Sequence, residues 1–298
     1  MSSFPDDPTF ARDEVELLTS VDGERVALHD FGGDASGPPL LLCHGNGLNA
    51  GMWAGALPVL TGRFRCYGLD LRGHGRSRPI HEDYSVARHL FAADIVTAVD
   101  AIGGPVRFAG HSLGAASAAF AAMADSSPFV GLWLFEPVLL PDDVDLGGGP
   151  PSILVEMSRR RRMDFDSVDD AVARFRSKPP FSLCDLRAVR GYVEVGTYAT
   201  GTGVRLSCRG EDEARVYGSS TPFAFAGLGT IDVPVLVASG AAANEANALP
   251  PKLAPLVAKA VPGGRWVEFD GISHFGPMEE PERMGRSIID FFEEIGHG

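Results

Sequence analysis

The residue of this sequence best suited to covalent chemistry is Ser112, at the centre of the pentapeptide Gly110–Gly114 with the pattern G-x-S-x-G. A β-branched and aromatic run at 106–109 precedes it and an alanine-rich run at 115–124 follows it, which predicts strand, sharp turn and helix. A turn this tight crowds the positions two residues before and after its apex, and glycine at both meets that need. The Ser112 hydroxyl would then stand at a helix N-terminus, where free N–H groups favour developing negative charge.

Composition and charge narrow the class of protein. The chain has 298 residues, 45% of them apolar, which is enough for one large α/β domain with an insertion. A net charge of −13 argues against binding to nucleic acid or to an anionic membrane surface.

The N-terminus has no secretory signal pattern, and no apolar run reaches the ~18 residues of a membrane span. The cysteines show neither metal-ligand spacing nor close pairing: Cys43, Cys66, Cys184 and Cys208. We therefore expect a cytoplasmic protein with reduced thiols, no metal, no cofactor, no membrane insertion and a small-molecule substrate as its partner, with the oligomeric state left open.

Strand and helix patterns alternate along most of the chain. Apolar runs predict strands, with helical spacing between them, at 40–43, 64–69, 106–109, 130–135, 233–238 and 265–269, after a hairpin at 14–19 and 24–31. This alternation predicts an α/β fold with a mostly parallel eight-stranded sheet and helices on both faces. Between the fourth and fifth of those runs a Pro-, Gly- and Asp-rich stretch is followed by helical patterns without clear strands, at 152–163, 168–177, 186–198 and 211–217. We therefore predict a core formed by residues 1–140 and 223–298, with residues 141–222 inserted as a helical cap.

Four motifs at the predicted strand ends resemble, in their order, those of the α/β-hydrolase superfamily. They are His44-Gly45-Asn46, the run D-L-R-G-H-G-R-S at 70–77, the pentapeptide at 110–114, and G-I-S-H-F at 271–275. The similarity covers about residues 14–296 and lies in the cap-bearing branch with esterases, C–C hydrolases and haloalkane dehalogenases. It implies the α/β-hydrolase fold and a catalytic serine, but it does not identify a substrate because the superfamily supports many chemistries.

The resemblance implies that His274, in the segment after the last strand, is the general base that a serine nucleophile needs. The other histidines are less favoured. His44 and His74 lie in structural turn motifs and His111 flanks the serine, while the remaining four are expected in surface contexts: His29, His81, His89 and His297.

The acid that orients the histidine is the position where this sequence departs from the family. Most members carry an aspartate after the strand that matches 233–238, but here that segment reads G-A-A-A-N-E over 240–245. Glu136 is the favoured alternative, because a helix of about 14 residues followed by a strand of six or seven returns the chain to the sheet edge of Ser112. One subgroup of haloalkane dehalogenases places its acid at a similar strand end. We therefore predict a triad of Ser112, His274 and Glu136, with Glu245 and Asp270 as alternative acids.

The oxyanion hole is expected from the backbone N–H groups of Leu113 and Asn46. The Asn46 side chain either reaches the pocket or caps its own turn. His111 and Gly45, which flank these positions, are predicted to contact substrate. The run at 70–77 is expected to hold a tight turn beside the site.

Four consecutive arginines, Arg159–Arg162, lie on the first predicted helix of the cap. They form either a solvated basic face or a contact to a substrate carboxylate or a neighbouring acidic surface. The favoured function is a serine hydrolase that cleaves a small carboxylic ester through an acyl-enzyme. C–C bond hydrolysis and acyl transfer would use the same triad. The alanines at 241–243 motivate an alternative of another class, a small-molecule receptor that keeps the fold without turnover.

Overall fold

The computed structural model describes residues 14–77, 83–141, 152–219, 225–241 and 249–296. The strands are β1 (Glu14–Thr19), β2 (Arg25–Gly33), β3 (Pro39–Cys43), β4 (Arg65–Asp70), β5 (Val106–His111), β6 (Phe129–Phe135), β7 (Asp164–Phe165), β8 (Thr197–Thr200), β9 (Gly203–Leu206), β10 (Val235–Gly240) and β11 (Arg265–Phe269). The α-helices are α1 (Leu57–Leu60), α2 (Arg88–Ile102), α3 (Leu113–Ala124), α4 (Ser152–Arg159), α5 (Val168–Arg176), α6 (Leu186–Val195), α7 (Gly210–Gly218), α8 (Pro250–Ala260), α9 (Gly276–Glu279) and α10 (Pro281–Gly296). Short 3-10 helices lie at Ala50–Trp53, Phe181–Leu183 and Phe225–Thr230.

Eight strands form the main sheet in the order β1-β2-β4-β3-β5-β6-β10-β11. β2 is antiparallel to both of its neighbours, and all other neighbouring pairs are parallel. The predicted mostly parallel eight-stranded sheet is therefore confirmed. Parallel pairing places the carboxyl ends of β3, β5, β6, β10 and β11 along one edge, where ligands of open α/β sheets bind.

Apolar side chains cover both faces of this sheet. In β3, Leu41 belongs to the core cluster on one face, whereas Leu40 and Leu42 belong to the cluster on the other. All three are fully buried, as are Phe108 and Ala109, which point to opposite faces of β5. The short apolar runs in the sequence are therefore strands buried on two sides, the pattern typical of parallel sheets.

The helix expected over about 50–60 forms as two short pieces, the 3-10 turn at Ala50–Trp53 and α1. Pro58 stands in the first turn of α1. It has no N–H to donate to the carbonyl four residues earlier, so an α-helix cannot run through it unbroken.

Residues 152–219 contain the four predicted helices together with a small antiparallel sheet, in the order β7-β9-β8, that we did not predict. The helix expected to reach Tyr198 ends at Val195, and Tyr198 lies in β8. α6 contacts the 3-10 turn at Ala50–Trp53 closely enough that a Cβ on Gly51 would lie 2.1 Å from the Gly191 carbonyl oxygen. This segment therefore contacts the core directly after β3.

The Pro-, Gly- and Asp-rich stretch lies outside the described residues from 142 to 151, and the division into core and cap stays a prediction. Within the described ranges, none of the helices has both the length and the apolar character needed to cross a bilayer.

Candidate active site

Ser112 stands between the last residue of β5 and the first of α3, with φ +51° and ψ −110°. This left-handed conformation is rare for a residue with a side chain. A Cβ on Gly110 would lie 2.7 Å from the Phe108 ring and 2.9 Å from the Ala115 nitrogen, and one on Gly114 would lie 2.6 Å from the His44 carbonyl oxygen. A side chain at either position would collide with its neighbours, so both positions require glycine, as predicted from the crowding of the turn.

His274 lies in the loop after β11, with its Nε2 atom 3.2 Å from Ser112 Oγ. Its side chain is 12% exposed, so the imidazole is largely shielded but reachable. The backbone of this loop is held as well, because His111 Nε2–H donates to the His274 carbonyl oxygen over 2.8 Å. Burial lowers the pKa of His111 well below its ordinary value and keeps this ring neutral.

Glu136 follows the last residue of β6 and also has a positive φ, +46°. Its side chain is buried, and the two carboxylate oxygens have different partners. Oε2 accepts from His274 Nδ1 at 2.5 Å, and Oε1 accepts from the Gly240 N–H at 2.9 Å. A buried carboxylate is stable only when it is paired and hydrogen-bonded in this way.

The structure thus brings together Ser112, His274 and Glu136 in one hydrogen-bonded row. Of the alternative acids, Asp270 is exposed at the start of the histidine loop, and Glu245 lies outside the described residues. The segment after β10, where the family resemblance implies an acid, begins with Ala241, whose N–H donates to the Phe269 carbonyl oxygen.

The loop after β3, which we call the 44–47 loop, lies directly against the serine. A Cβ on Gly45 would be 2.7 Å from His111 Nδ1 and 3.1 Å from Ser112 Cβ, so no side chain fits there. Within the described part of the chain, neither the Asn46 N–H nor the Leu113 N–H donates to a protein acceptor. The predicted contact of His111 and Gly45 with substrate stays a prediction.

The Asn46 side chain is occupied by other protein groups. Its Nδ2 donates to the Glu213 carbonyl oxygen at 3.1 Å, and the side chain is also hydrogen-bonded to the side chain of Tyr217. Of the two expectations for this side chain, pocket or cap of its own turn, neither describes these contacts. They link the 44–47 loop to α7.

Two buried histidines connect the 44–47 loop to the 70–77 turn. His74 Nε2 accepts from the Gly47 N–H at 3.0 Å, and His44 Nε2 accepts from the Leu71 N–H at 3.0 Å. Both acceptor roles require neutral rings. Burial lowers the pKa of His74, and lowers that of His44 to about 3, which keeps both rings neutral.

The expectation that His29 lies at the surface is wrong. Its ring is fully buried in β2, and Nε2 lies 2.7 Å from Asp70 Oδ2. The same carboxylate accepts from the Ala50 and Arg76 N–H groups, both at 2.7 Å. A polar side chain in a strand gives no sign of such a partner 41 residues away.

The four consecutive arginines all have acidic partners within the protein. Arg159 pairs with Glu211, Arg160 with Glu156, Arg161 with Glu213 and Arg162 with Asp170. The expectation of a solvated face describes the exposed side chains of Arg159, Arg160 and Arg162, although α4 ends at Arg159 and the other arginines follow it. Only the Arg161 pair is largely buried, with 14% of each side chain exposed.

Sequence reasoning missed three residues that contact the 44–47 loop, Tyr192, Glu213 and Tyr217. All are separated from it by more than 140 residues, and none lies in a recognisable motif. The sequence does contain one clue. Two arginines stand two residues apart at 159 and 161, and two glutamates stand two residues apart at 211 and 213, as expected for two segments that pair side by side.

Comparison with known proteins identifies the family and the fold. The model of the alpha/beta hydrolase family matches residues 40–286. Mouse protein phosphatase methylesterase 1 is 35% identical over 132 residues, which cover 42% of this chain and 33% of that protein. Pimeloyl-[acyl-carrier protein] methyl ester esterase of Methylococcus capsulatus is 41% identical over 79 residues, covering 26% of this chain and 29% of that enzyme. The chain thus matches about a third of the length of these curated relatives.

Solved structures extend the similarity to almost the whole chain. The structure of E-2-(acetamidomethylene)succinate hydrolase has a TM-score of 0.73 at 19% identity and covers 95% of this chain and 100% of that one. The thioesterase domain from the curacin biosynthetic pathway has a TM-score of 0.74 at 19% identity, with 94% and 99% covered. At this identity the likeness shows the fold alone. The family match, which spans most of the residues, shows that the chain belongs to the alpha/beta hydrolase family.

Proposed function

We propose that this hydrolase cleaves a small carboxylic ester through an acyl-enzyme formed on Ser112. The observation that carries the proposal is the row from Ser112 Oγ to His274 Nε2 (3.2 Å) and from His274 Nδ1 to Glu136 Oε2 (2.5 Å). Because the carboxylate accepts the Nδ1–H, the lone pair of Nε2 is free to accept the serine proton.

The proposed reaction has two halves. Ser112 Oγ attacks the ester carbonyl while His274 Nε2 takes its proton, and the negative oxygen is stabilised by the N–H groups of Leu113 and Asn46. The C–O bond to the alcohol then breaks, and His274 returns the proton to the leaving oxygen. Water attacks the acyl-enzyme in the same way, and Ser112 regains its proton as the acid product leaves. Glu136 holds the histidine and stabilises the imidazolium in both halves.

A methyl or other short alcohol is the proposed leaving group, because two relatives at 35% and 41% identity are named as enzymes of methyl esters. A panel of esters of one acid with methyl, propyl and butyl alcohols tests this part. A second panel of aryl esters with lengthening acyl chains defines the acyl pocket. A preference for the longer alcohols would contradict the proposed leaving group without affecting the proposed triad.

Labelling with a fluorophosphonate probe tests the nucleophile. The parent protein should be labelled on Ser112, and Ser112→Ala should not be labelled at all. An unlabelled parent that hydrolyses no ester would overturn the proposal and favour the receptor alternative. The pairing of Glu136 with His274 argues against that alternative, because a site without turnover has no need of an oriented histidine.

A further inference from the structure

Two ion pairs of equal spacing join the end of α4 and the residues after it to α7. Arg159 Nε donates to Glu211 at 2.8 Å, and Arg161 Nη1 donates to Glu213 at 2.5 Å. The first pair is about half exposed, whereas both side chains of the second are 14% exposed. The two pairs therefore make the same connection between the same elements, one in solvent and one inside the protein.

Only the buried pair contacts the 44–47 loop. A Cβ on Gly47 would lie 2.4 Å from Glu213 Oε1, so this carboxylate rests on the bare Cα of Gly47. Arg161 Nη2 donates to the Tyr192 hydroxyl, and that hydroxyl donates to the Gly47 carbonyl oxygen at 3.3 Å. The Glu213 carbonyl oxygen accepts from Asn46 Nδ2 at 3.1 Å. Arg161 Nη1 also lies 3.5 Å from the Gly47 carbonyl oxygen, and the Tyr217 side chain is hydrogen-bonded to that of Asn46. Groups from residues 152–219 thus converge on two consecutive loop residues, Asn46 and Gly47.

The opposite side of the same loop is fixed by the core. The Gly47 N–H donates to His74 Nε2, whose ring is in turn held by donation from Nδ1–H to the Arg72 carbonyl oxygen at 2.9 Å. Gly45 packs against His111 and Ser112. The Gly45–Asn46 peptide, which carries the Asn46 N–H, is fixed at its own carbonyl oxygen by the Leu48 N–H at 3.1 Å and by His44 Nδ1–H at 2.8 Å. The buried ion pair contacts the residue that follows this peptide, Gly47, so it limits the movement of the loop on the side opposite the core.

We propose that Arg161 and Glu213 are positioning residues that aim the Asn46 N–H at the oxyanion, an inference that rests on the proposed function. An oxyanion donor acts only at about 2.7–3.1 Å from the charged oxygen, and losing one donor costs roughly 10²–10³ in kcat. A displacement near 1 Å can cost 10²-fold even when no reacting group is lost. Release of the loop on one side should therefore reduce kcat by about 10- to 100-fold, because the core still holds the other side.

The test compares two matched double variants, Arg161→Met with Glu213→Gln and Arg159→Met with Glu211→Gln. Each removes a whole ion pair, so neither leaves a lone buried charge. The measurements are kcat and KM on an ester that the parent hydrolyses, and the inhibition constant of a trifluoromethyl ketone. Serine adds to the carbonyl of such a ketone, and the resulting tetrahedral hemiketal places an oxyanion in the oxyanion hole. The 161/213 variant should lose about 10- to 100-fold in kcat and in ketone affinity, with KM changed less than about threefold. The 159/211 variant should stay within about twofold of the parent in all three.

Glu213→Gln alone is the second variant; it keeps the size of the side chain that rests on Gly47 but leaves the buried Arg161 charge unpaired, so its loss in kcat should be at least as large as that of the double variant. A loss confined to KM, or an equal loss in both double variants, would overturn the proposal, since either indicates a general loosening of residues 152–219. Full activity of both the 161/213 variant and Glu213→Gln would also overturn it, while leaving the proposed function intact. A parent that neither reacts with a fluorophosphonate nor hydrolyses esters would overturn both.

Discussion

Replacement of Glu136 by glutamine tests whether this carboxylate is the acid of the triad. The two oxygens of Glu136 accept from different donors, the Gly240 N–H and His274 Nδ1. A glutamine has one acceptor and one donor group at the same positions. If its oxygen faces Gly240, its NH₂ faces Nδ1 and forces the proton onto Nε2, where the histidine can no longer accept from Ser112. If the amide is reversed, its NH₂ opposes the Gly240 N–H inside the protein.

The expected loss of kcat in Glu136→Gln follows from these contacts. An unsatisfied or opposed buried donor costs about 1–3 kcal/mol, and a hydrogen bond to a charged partner contributes about 1.5–3 kcal/mol. Glu136→Gln loses both in the transition state, where the histidine is an imidazolium. The sum of about 2.5–6 kcal/mol corresponds to a loss of roughly 10²- to 10⁴-fold in kcat. The volume is unchanged, so the fold should be kept.

The assay is steady-state hydrolysis of an activated aryl ester, with circular dichroism as the check on folding. Glu245→Gln and Asp270→Asn are the controls, since they neutralise the alternative acids, and both should keep kcat within a few-fold of the parent. Near-full activity of Glu136→Gln together with loss of activity in Glu245→Gln would refute the assignment.

Two further predictions concern stability, measured by urea unfolding. Gly114→Ala should lower the free energy of unfolding by about 1–3 kcal/mol, because its methyl group would lie 2.6 Å from the His44 carbonyl oxygen and 2.8 Å from Cys43 Sγ. Gly62→Ala, whose Cβ would meet nothing closer than 3.8 Å, should be neutral or stabilising by up to about 1 kcal/mol, and equal losses in both would contradict the packing argument. Because burial lowers the pKa of His111 well below its ordinary value, the unfolded state takes up the proton first as the pH falls, so the parent should lose about 1.4 kcal/mol more than His111→Gln between pH 7.5 and 5.5. The same pH sensitivity in both proteins would contradict the burial of a neutral ring.

The order of elements could be predicted because it depends on local patterns, and the place of Glu136 because it depends on distances along the chain, whereas the role of His274 was implied by the resemblance to the family. Apolar runs buried on two faces identified the central strands. The rise per residue of a helix and of a strand predicts that the chain brings Glu136 back to the sheet edge that holds Ser112. This prediction does not require knowledge of how the helix and the strand pack together.

What could not be predicted depends on contacts between distant residues. β7 has two residues, and β8 and β9 have four each, so none is long enough to show a strand period. The burial of His29 depends on Asp70, and the burial of Arg161 depends on Glu213. A sequence shows the charge of such residues but not which partner removes them from water.

The conformations of Ser112 and Glu136 set stability against activity in this chain. They are the non-glycine residues with positive φ in the described ranges, and such a conformation costs about 1–3 kcal/mol each. That is a considerable part of the 5–15 kcal/mol that keeps a typical domain folded. A gene copy released from selection for turnover would therefore gain stability by exchanging Ser112 for glycine, whereas Glu136 also fills a buried site and bonds through both oxygens. Descendants of this protein that have lost the reaction should be recognisable by glycine at the end of β5, in a fold more robust than that of their active ancestor.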